Sequence, residues 1–286
     1  MRLVVVGHTE YVRFGRVQRL PEAGEVLHAA DAFSEPSGAG AGTAAVLARL
    51  AGSAIFFTAL GDDDVADAAT GRLAELGVRV SAVRRESMTR QAVALSDAAG
   101  ERTIVTLGDR HEPRGDDPLP WHELEGADGV YFAAGDERAY ALARRCRLLV
   151  STPRARAAIT NCQDPPDVVV FSEADRFETN AMRSAQNHPQ VIVQTNGARG
   201  GSWQTASGGR GAYAAAAPRG PIRDTYGCGD TFAAALTYAL ARALALEAAL
   251  DEAAVQAAAC LTWRGPYPPS ASHLAVAIGQ GSVPTS

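Results

Sequence analysis

The residues best able to do chemistry lie together as Asp224-Thr225-Tyr226-Gly227-Cys228-Gly229-Asp230. From Phe232 onward apolar residues fall at 232, 235, 236, 239, 240 and 243, the spacing of a helix packed on a core. A glycine-rich turn therefore runs into a helix N-terminus, where unpaired amides and the positive end of the helix dipole attract anions. Gly227 and Gly229 permit close backbone approach. Asp230, at the helix entry, is then a carboxylate held beside an anion site. Phosphoryl transfer needs that pairing: amides offset charge on the equatorial oxygens, and a base takes the proton from the attacking hydroxyl. On spacing alone the same residues also read as a plain turn with Asp230 capping a helix. Cys228 has no histidine close in sequence and is expected to pack rather than act as a nucleophile.

The chemistry is narrowed by an absence. All 27 basic residues of the chain are arginine, and no lysine is present. Schiff-base chemistry, pyridoxal phosphate attachment and the lysines of P-loop ATPases and protein kinases are thereby excluded. Any phosphate must be handled by amides, arginines and a divalent metal. The net charge of −5 gives no broad basic field for nucleic acid or an anionic membrane, although a local arginine cluster could hold a compact anion. No apolar run reaches the ~18 residues of a membrane span. The N-terminal residues lack the pattern of a secretory signal, and Cys146, Cys162, Cys228 and Cys260 show no CxxC spacing. These features lead us to expect a cytoplasmic protein with free thiols and no zinc site.

A frame must position these residues. Leu3–Gly7 is a continuous apolar run stopped by glycine, the pattern of a buried parallel strand, and similar runs recur at 54–60, 129–134, 148–150, 168–171 and 191–193. Helical periodicity lies between several of them. Over 65–76, Val65, Ala69, Leu73 and Leu76 share a face, with Asp64 as the expected N-cap and Gly77 as the stop. Alternation of this kind predicts an α/β fold of three layers, α/β/α, with a mainly parallel central sheet. Residues 12–35 and 88–106 break the rhythm with alternating patterns such as Glu25–His28 and Arg102–Val105. They are expected to form a small antiparallel lid over one edge of the sheet. One domain spanning 1–286 is expected, with a Gly/Ser/Pro-rich tail after Ile278 that frays.

Asp224-Thr-x-Gly227-x-Gly229-Asp230-Thr-Phe closely resembles the C-terminal signature of the ribokinase (pfkB) family of carbohydrate and nucleoside kinases. The resemblance runs over nearly the whole chain. Pro21-x-x-Gly24-Glu25 is similar to the early lid segment of that family, Ser37–Gly42 followed by Ala44–Leu50 to its N-terminal glycine-rich signature, and Gly61-Asp62-Asp63 to its Gly-Asp-Asp. Thr195-x-Gly197-x-x-Gly200 resembles its nucleotide-contacting segment. The resemblance implies ATP as phosphoryl donor, Mg2+ arriving with it, Asp230 as catalytic base, and Gly227, Cys228 and Gly229 as the anion hole. It implies that Thr195, Gly197, Gly200 and Thr225 contact the nucleotide, and that Gly38, Gly40 and Gly42 line the acceptor site. Asp224 and Tyr226 fall where family members supply oxygens to a monovalent cation such as K+, and Asp175 stands at the carboxylate end of an Asn-x-x-Glu-like segment. A homodimer formed through the lids is implied as well.

The acceptor end departs from the family pattern. Valine (Val12) stands where an aspartate commonly grips sugar hydroxyls, and Gly42 where an asparagine is usual; Ser172-Glu173-Ala174-Asp175 replaces Asn-x-x-Glu. Glu10 or His8 could substitute at the first position, and Arg102 and Arg110 could meet an anionic substrate. Three readings therefore remain: a kinase of a small carbohydrate, a nucleoside kinase, or a catalytically weak binding or regulatory protein of the same fold.

Overall fold

Leu3, Val4, Val5 and Val6 are all buried, and their side chains alternate between two separate apolar clusters. Leu3 and Val5 join one cluster while Val4 and Val6 join the other, as the two-residue period of a strand demands. A strand apolar on both faces must lie inside a sheet covered on both sides. The computed structural model describes residues 1–98, 102–159, 163–185 and 188–268 and shows this arrangement.

In chain order the elements are β1 (Leu3–Val6), β2 (Glu10–Arg16), β3 (Ala30–Ser37), α1 (Gly38–Ala51), β4 (Ala54–Gly61), α2 (Asp64–Glu75), β5 (Val78–Arg85), β6 (Gln91–Ser96) and β7 (Arg102–Leu107). They continue with β8 (Gly129–Phe132), α3 (Glu137–Ala143), β9 (Leu149–Ser151), α4 (Arg156–Ile159), β10 (Val168–Ser172), α5 (Arg176–Arg183) and β11 (Val191–Thr195). β12 (Gly201–Thr205), β13 (Arg210–Tyr213), α6 (Cys228–Ala241) and α7 (Leu246–Cys260) complete the set. The central sheet has nine strands in the order β13-β12-β11-β10-β9-β8-β1-β4-β5. All run parallel except β12 and β13, which form an antiparallel hairpin on β11. Helices α1, α2, α6 and α7 cover one face, and α3, α4 and α5 the other.

The helical stretch over 65–76 forms one residue earlier than its pattern suggests. Asp63, not Asp64, is the N-cap, because its Oδ1 accepts the Ala66 amide at 2.9 Å and so satisfies a free donor of the first turn. Gly77 follows the helix at φ +83, a left-handed conformation that glycine adopts without a steric penalty.

The lid is a four-stranded sheet, β3-β2-β6-β7. It is not wholly antiparallel: β2 pairs β6 in parallel. β2 follows β1 after three residues and β6 follows β5 after five, so both rise from parallel strands in one direction. Glu25–His28 forms no strand and is exposed, with Glu25 held by Arg19 at 2.6 Å instead. The lid has its own small core of Val12, Phe14, Ala92 and Ala94, into which Tyr226 inserts edge-on against Phe14 at 4.8 Å between ring centres. The tail after Ile278 lies outside the described residues, as does Cys162.

Candidate active site

In an open parallel sheet, loops leaving the carboxyl ends of the strands converge on one crevice. Here that end carries His8 after β1, Glu10 opening β2, Arg154 after β9, the Ser172–Asp175 segment at the end of β10, and Thr195 closing β11. Backbone contact fixes how α1 meets this crevice. A Cβ on Gly40 would lie 2.6 Å from the carbonyl oxygen of His8, so only glycine lets the first turn of α1 pack against the end of β1.

The turn before α6 is shaped by Asp224. Its Oδ1 accepts the Tyr226 amide at 2.9 Å, and its Oδ2 accepts the Gly265 amide at 3.0 Å. Gly227 is the N-cap of α6 at φ +79, with no side chain capping the helix, and the first helical bond runs from the Thr231 amide to its carbonyl at 2.8 Å. The amides of the first turn are left for another acceptor, and the space beside Gly229 is open. Cys228 lies against Cys260, and that contact together with burial raises its thiol pKa far above the usual range. Its side chain packs against Cys260, the role its sequence context suggested.

Asp230 projects from the first turn of α6 toward the first turn of α1. A Cβ added to Gly42 would lie 3.2 Å from Asp230 Oδ2, so the bare glycine leaves the carboxylate room. Burial pushes the Asp230 carboxyl up to about 6; Arg102 and Arg154 oppose that rise, while Glu178 and Glu10 add to it. Arg102 also lies over the Tyr226 ring, 5.4 Å from its centre, and so links the lid to the turn.

At the other end of α1's first turn, Gly38 packs against His8 and Glu10; a Cβ there would meet His8 Nε2 at 3.1 Å and Glu10 Cγ at 3.4 Å. Gly38 and Gly42 are one helical turn apart, about 6 Å. Glu10 and Asp230 thus stand beside opposite ends of this turn. Burial raises the Glu10 pKa against the opposing pull of Arg90, Arg110 and Arg154. Burial lowers that of His8, with the same arginines acting in the same direction, and its Nδ1 has no partner.

Other expected site residues fall elsewhere. Thr195 closes β11, with its hydroxyl donating to the Phe171 carbonyl at 3.3 Å, and Gly197 and Gly200 shape the turn into β12 at φ +53 and +80. Thr225 is exposed beside Gly227. Asp175 is the N-cap of α5: its Oδ1 accepts the amides of Phe177 and Glu178, and its Oδ2 is paired with Arg154. The carboxylate turned inward is Glu178, which the sequence did not single out. Glu178 is buried, accepts from Arg154 Nε at 3.0 Å and from the Ser172 amide at 2.8 Å, and acts electrostatically on Asp230. Arg90 was likewise not singled out; its Nε lies 3.1 Å from Glu10 Oε1.

The model of the pfkB family of carbohydrate kinases matches residues 1–165 and 168–272. The chain belongs to this family. Among solved structures, this pfkB kinase is similar to a putative ribokinase from Agrobacterium tumefaciens, at 19% identity and TM-score 0.77, with 98% of this chain and 97% of that one covered. It is also similar to the Arabidopsis thaliana ribokinase solved with ribose and ATP, at 20% identity and TM-score 0.70 over 96% and 98% of the two chains. The adenosine kinase of Sinorhizobium meliloti matches at 16% identity and TM-score 0.76 over 97% and 99%. The pfkB kinase is therefore an enzyme that phosphorylates a sugar or a nucleoside, built on the ribokinase-like fold.

Proposed function

We propose that this kinase transfers the γ-phosphoryl group of ATP to a hydroxyl of a small carbohydrate, with Asp230 as general base. The observation that carries the reading is a single junction: the carboxylate of Asp230 stands in a helix turn whose amides no side chain caps, facing a glycine that keeps the approach clear. In the reaction the acceptor hydroxyl gives its proton to Asp230 as its oxygen bonds to the γ-phosphorus. The bond from that phosphorus to the leaving ADP oxygen breaks, and the amides of Gly227, Cys228 and Gly229 hold the transferring oxygens. A carboxyl pKa of about 6 suits the task, because the group is ionised at neutral pH yet basic enough to accept a proton. Thr195, Gly197, Gly200 and Thr225 border the place for the nucleotide, and the lid closes over the acceptor to exclude water.

The cations fit less directly. Among the described residues, no three carboxylate, histidine or thiol groups gather as metal ligands. Both oxygens of Asp175 and of Glu178 are already taken by amides and Arg154, so Mg2+ fits here as an ion carried by the phosphates and water, where it neutralises their charge. Asp224 spends both oxygens on amides, and the Tyr226 carbonyl accepts the Cys260 thiol at 3.3 Å, so these two do not form a ready K+ site. ADP release across sugars, sugar acids and nucleosides, with Asp230→Asn in parallel, tests the reading. Substrate-stimulated release lost in the variant supports it; full activity in the variant removes Asp230 from its role.

A further inference from the structure

Two guanidinium groups near His8 and Glu10 are only partly paired by the fold. Arg90 enters just before β6 and Arg110 just after β7, and both reach the loop that carries His8 and Glu10. Arg90 meets Glu10 only through its Nε, in a contact too poorly aligned to count as a hydrogen bond, and neither of its terminal nitrogens bonds to any described residue. Arg110 pairs through Nε with the outer carboxylate Glu112 at 2.8 Å, and one terminal nitrogen donates to the Ala133 carbonyl at 3.3 Å. The remaining N–H groups of both arginines lack a partner among the described residues. Arg154 differs, since its charge is matched by Asp175 and Glu178.

Depth matters to this balance. The side chains of Arg90 and Arg110 are 19% and 22% exposed, as against 39% for Glu112, so two guanidiniums face one deep carboxylate, Glu10. Neutral His8 adds no charge. A half-buried guanidinium whose terminal donors meet no protein acceptor is open to an incoming one, and carboxylate and phosphate oxygens have the matching geometry.

We propose that the phosphoryl acceptor is itself an anion, a sugar-sized polyol whose carboxylate or phosphate is gripped by Arg90 and Arg110 while one hydroxyl is presented to Asp230. This rests on the kinase reading and narrows it to a substrate class. The spacing agrees, because the Gly38 end of α1's first turn, beside Glu10, lies about 6 Å from the Gly42 end, beside Asp230. An anionic group at one end and a reacting hydroxyl a few carbons away would span that gap.

The test compares acceptors of one carbon skeleton with and without an anionic group: glucose, gluconate and glucose 6-phosphate, with ribose, ribonate and ribose 5-phosphate as a second set. ADP release is measured for the wild type, Arg90→Gln and Arg110→Gln, and calorimetric binding of the same compounds is measured without ATP. Removing one charge-assisted pair is expected to raise the acceptor KM about tenfold to a hundredfold, and the KM for ATP is expected to stay put. Acids preferred over phosphates would identify carboxylate as the anchor, and the reverse would identify phosphate. Neutral sugars or nucleosides turned over as well as both anionic partners would overturn the proposal and leave the kinase reading intact. Anions that bind through Arg90 and Arg110 without any ADP release would keep the site and sink the kinase reading. If a variant fails to fold, the charge-paired comparison in the wild type decides alone.

Discussion

The two ends of the cleft are made in different ways. The proposed transfer end is one contiguous turn, Asp224 to Asp230, built of backbone amides, a glycine at φ +79 and one carboxylate. The proposed acceptor end is assembled from side chains on separate segments: His8 and Glu10 after β1, Arg90 before β6 and Arg110 after β7. Chemistry common to a family can be built from main chain, which any sequence supplies once glycines sit in the right places. Selectivity has to come from side chains, and these are free to change without disturbing the turn. The comparison teaches that substitutions at the transfer end should act on turnover with every acceptor, and those at the acceptor end on the choice among acceptors.

The largest effect belongs to Asp230→Asn. The amide keeps the shape but cannot take a proton, so kcat is expected to fall about a hundredfold to ten-thousandfold with all acceptors. The same change should stabilise the fold. The folded-state pKa of Asp230 is raised from the ordinary 3.8 to about 6, so ionising it opposes folding at neutral pH, and that penalty fades as pH falls through 6 towards 3.8. Thermal melting should therefore show a higher Tm for the variant at pH 8, and the gain should vanish below about pH 4. A variant that loses activity and gains no stability would mean the carboxylate is not held in the desolvated setting described here.

Gly227→Ala comes next. A residue with a Cβ at this left-handed position costs about 1–2 kcal/mol. The added atom would also meet the Cα of Pro266 at 3.1 Å, so the turn must shift. Misplaced amides should lower kcat/KM on the order of tenfold to a hundredfold, equally for charged and neutral acceptors. An effect confined to one class of acceptor would blur the division between the two ends.

How much of this was legible beforehand follows the same division. The transfer end could be read because its residues are adjacent in sequence and the apolar spacing after Phe232 announces the helix. Glu10, Gly38 and Gly42 do meet around the start of α1, since the glycine-rich run marks where that helix must touch the end of β1. Arg90 carries no local signal: it is one arginine in a chain whose basic residues are all arginine, and only strand topology brings it to Glu10. Asp175 stands at the carboxylate end of the Asn-x-x-Glu-like segment and so draws attention in the sequence, whereas Glu178 is marked only by its burial three residues on. The parallel pairing of β2 with β6 depends on which strands precede them, which no alternation pattern records. Val12 in the lid core adds a test of that kind: Val12→Asp places a charge among Phe14, Ala92 and Tyr226, and should lower Tm without conferring turnover of neutral sugars.

The smallest effects are shifts of the acid limb of the pH–rate profile, and they probe whether the two ends share one electric field. Asp230 must be ionised to act, so kcat/KM should fall with unit slope below about pH 6. Glu178 raises the Asp230 pKa, so Glu178→Gln should move that limb to lower pH; Arg154, relieved of one partner, pushes in the same direction. Arg102 lowers the Asp230 pKa, so Arg102→Gln should move the limb to higher pH. Each shift is expected to be about half a unit to one unit, given the screening of a partly open cleft. The opposite signs are the point of the pair. A general loss of packing would depress the rate in both variants without moving the limb, whereas a field acting on one carboxylate must displace it in two directions.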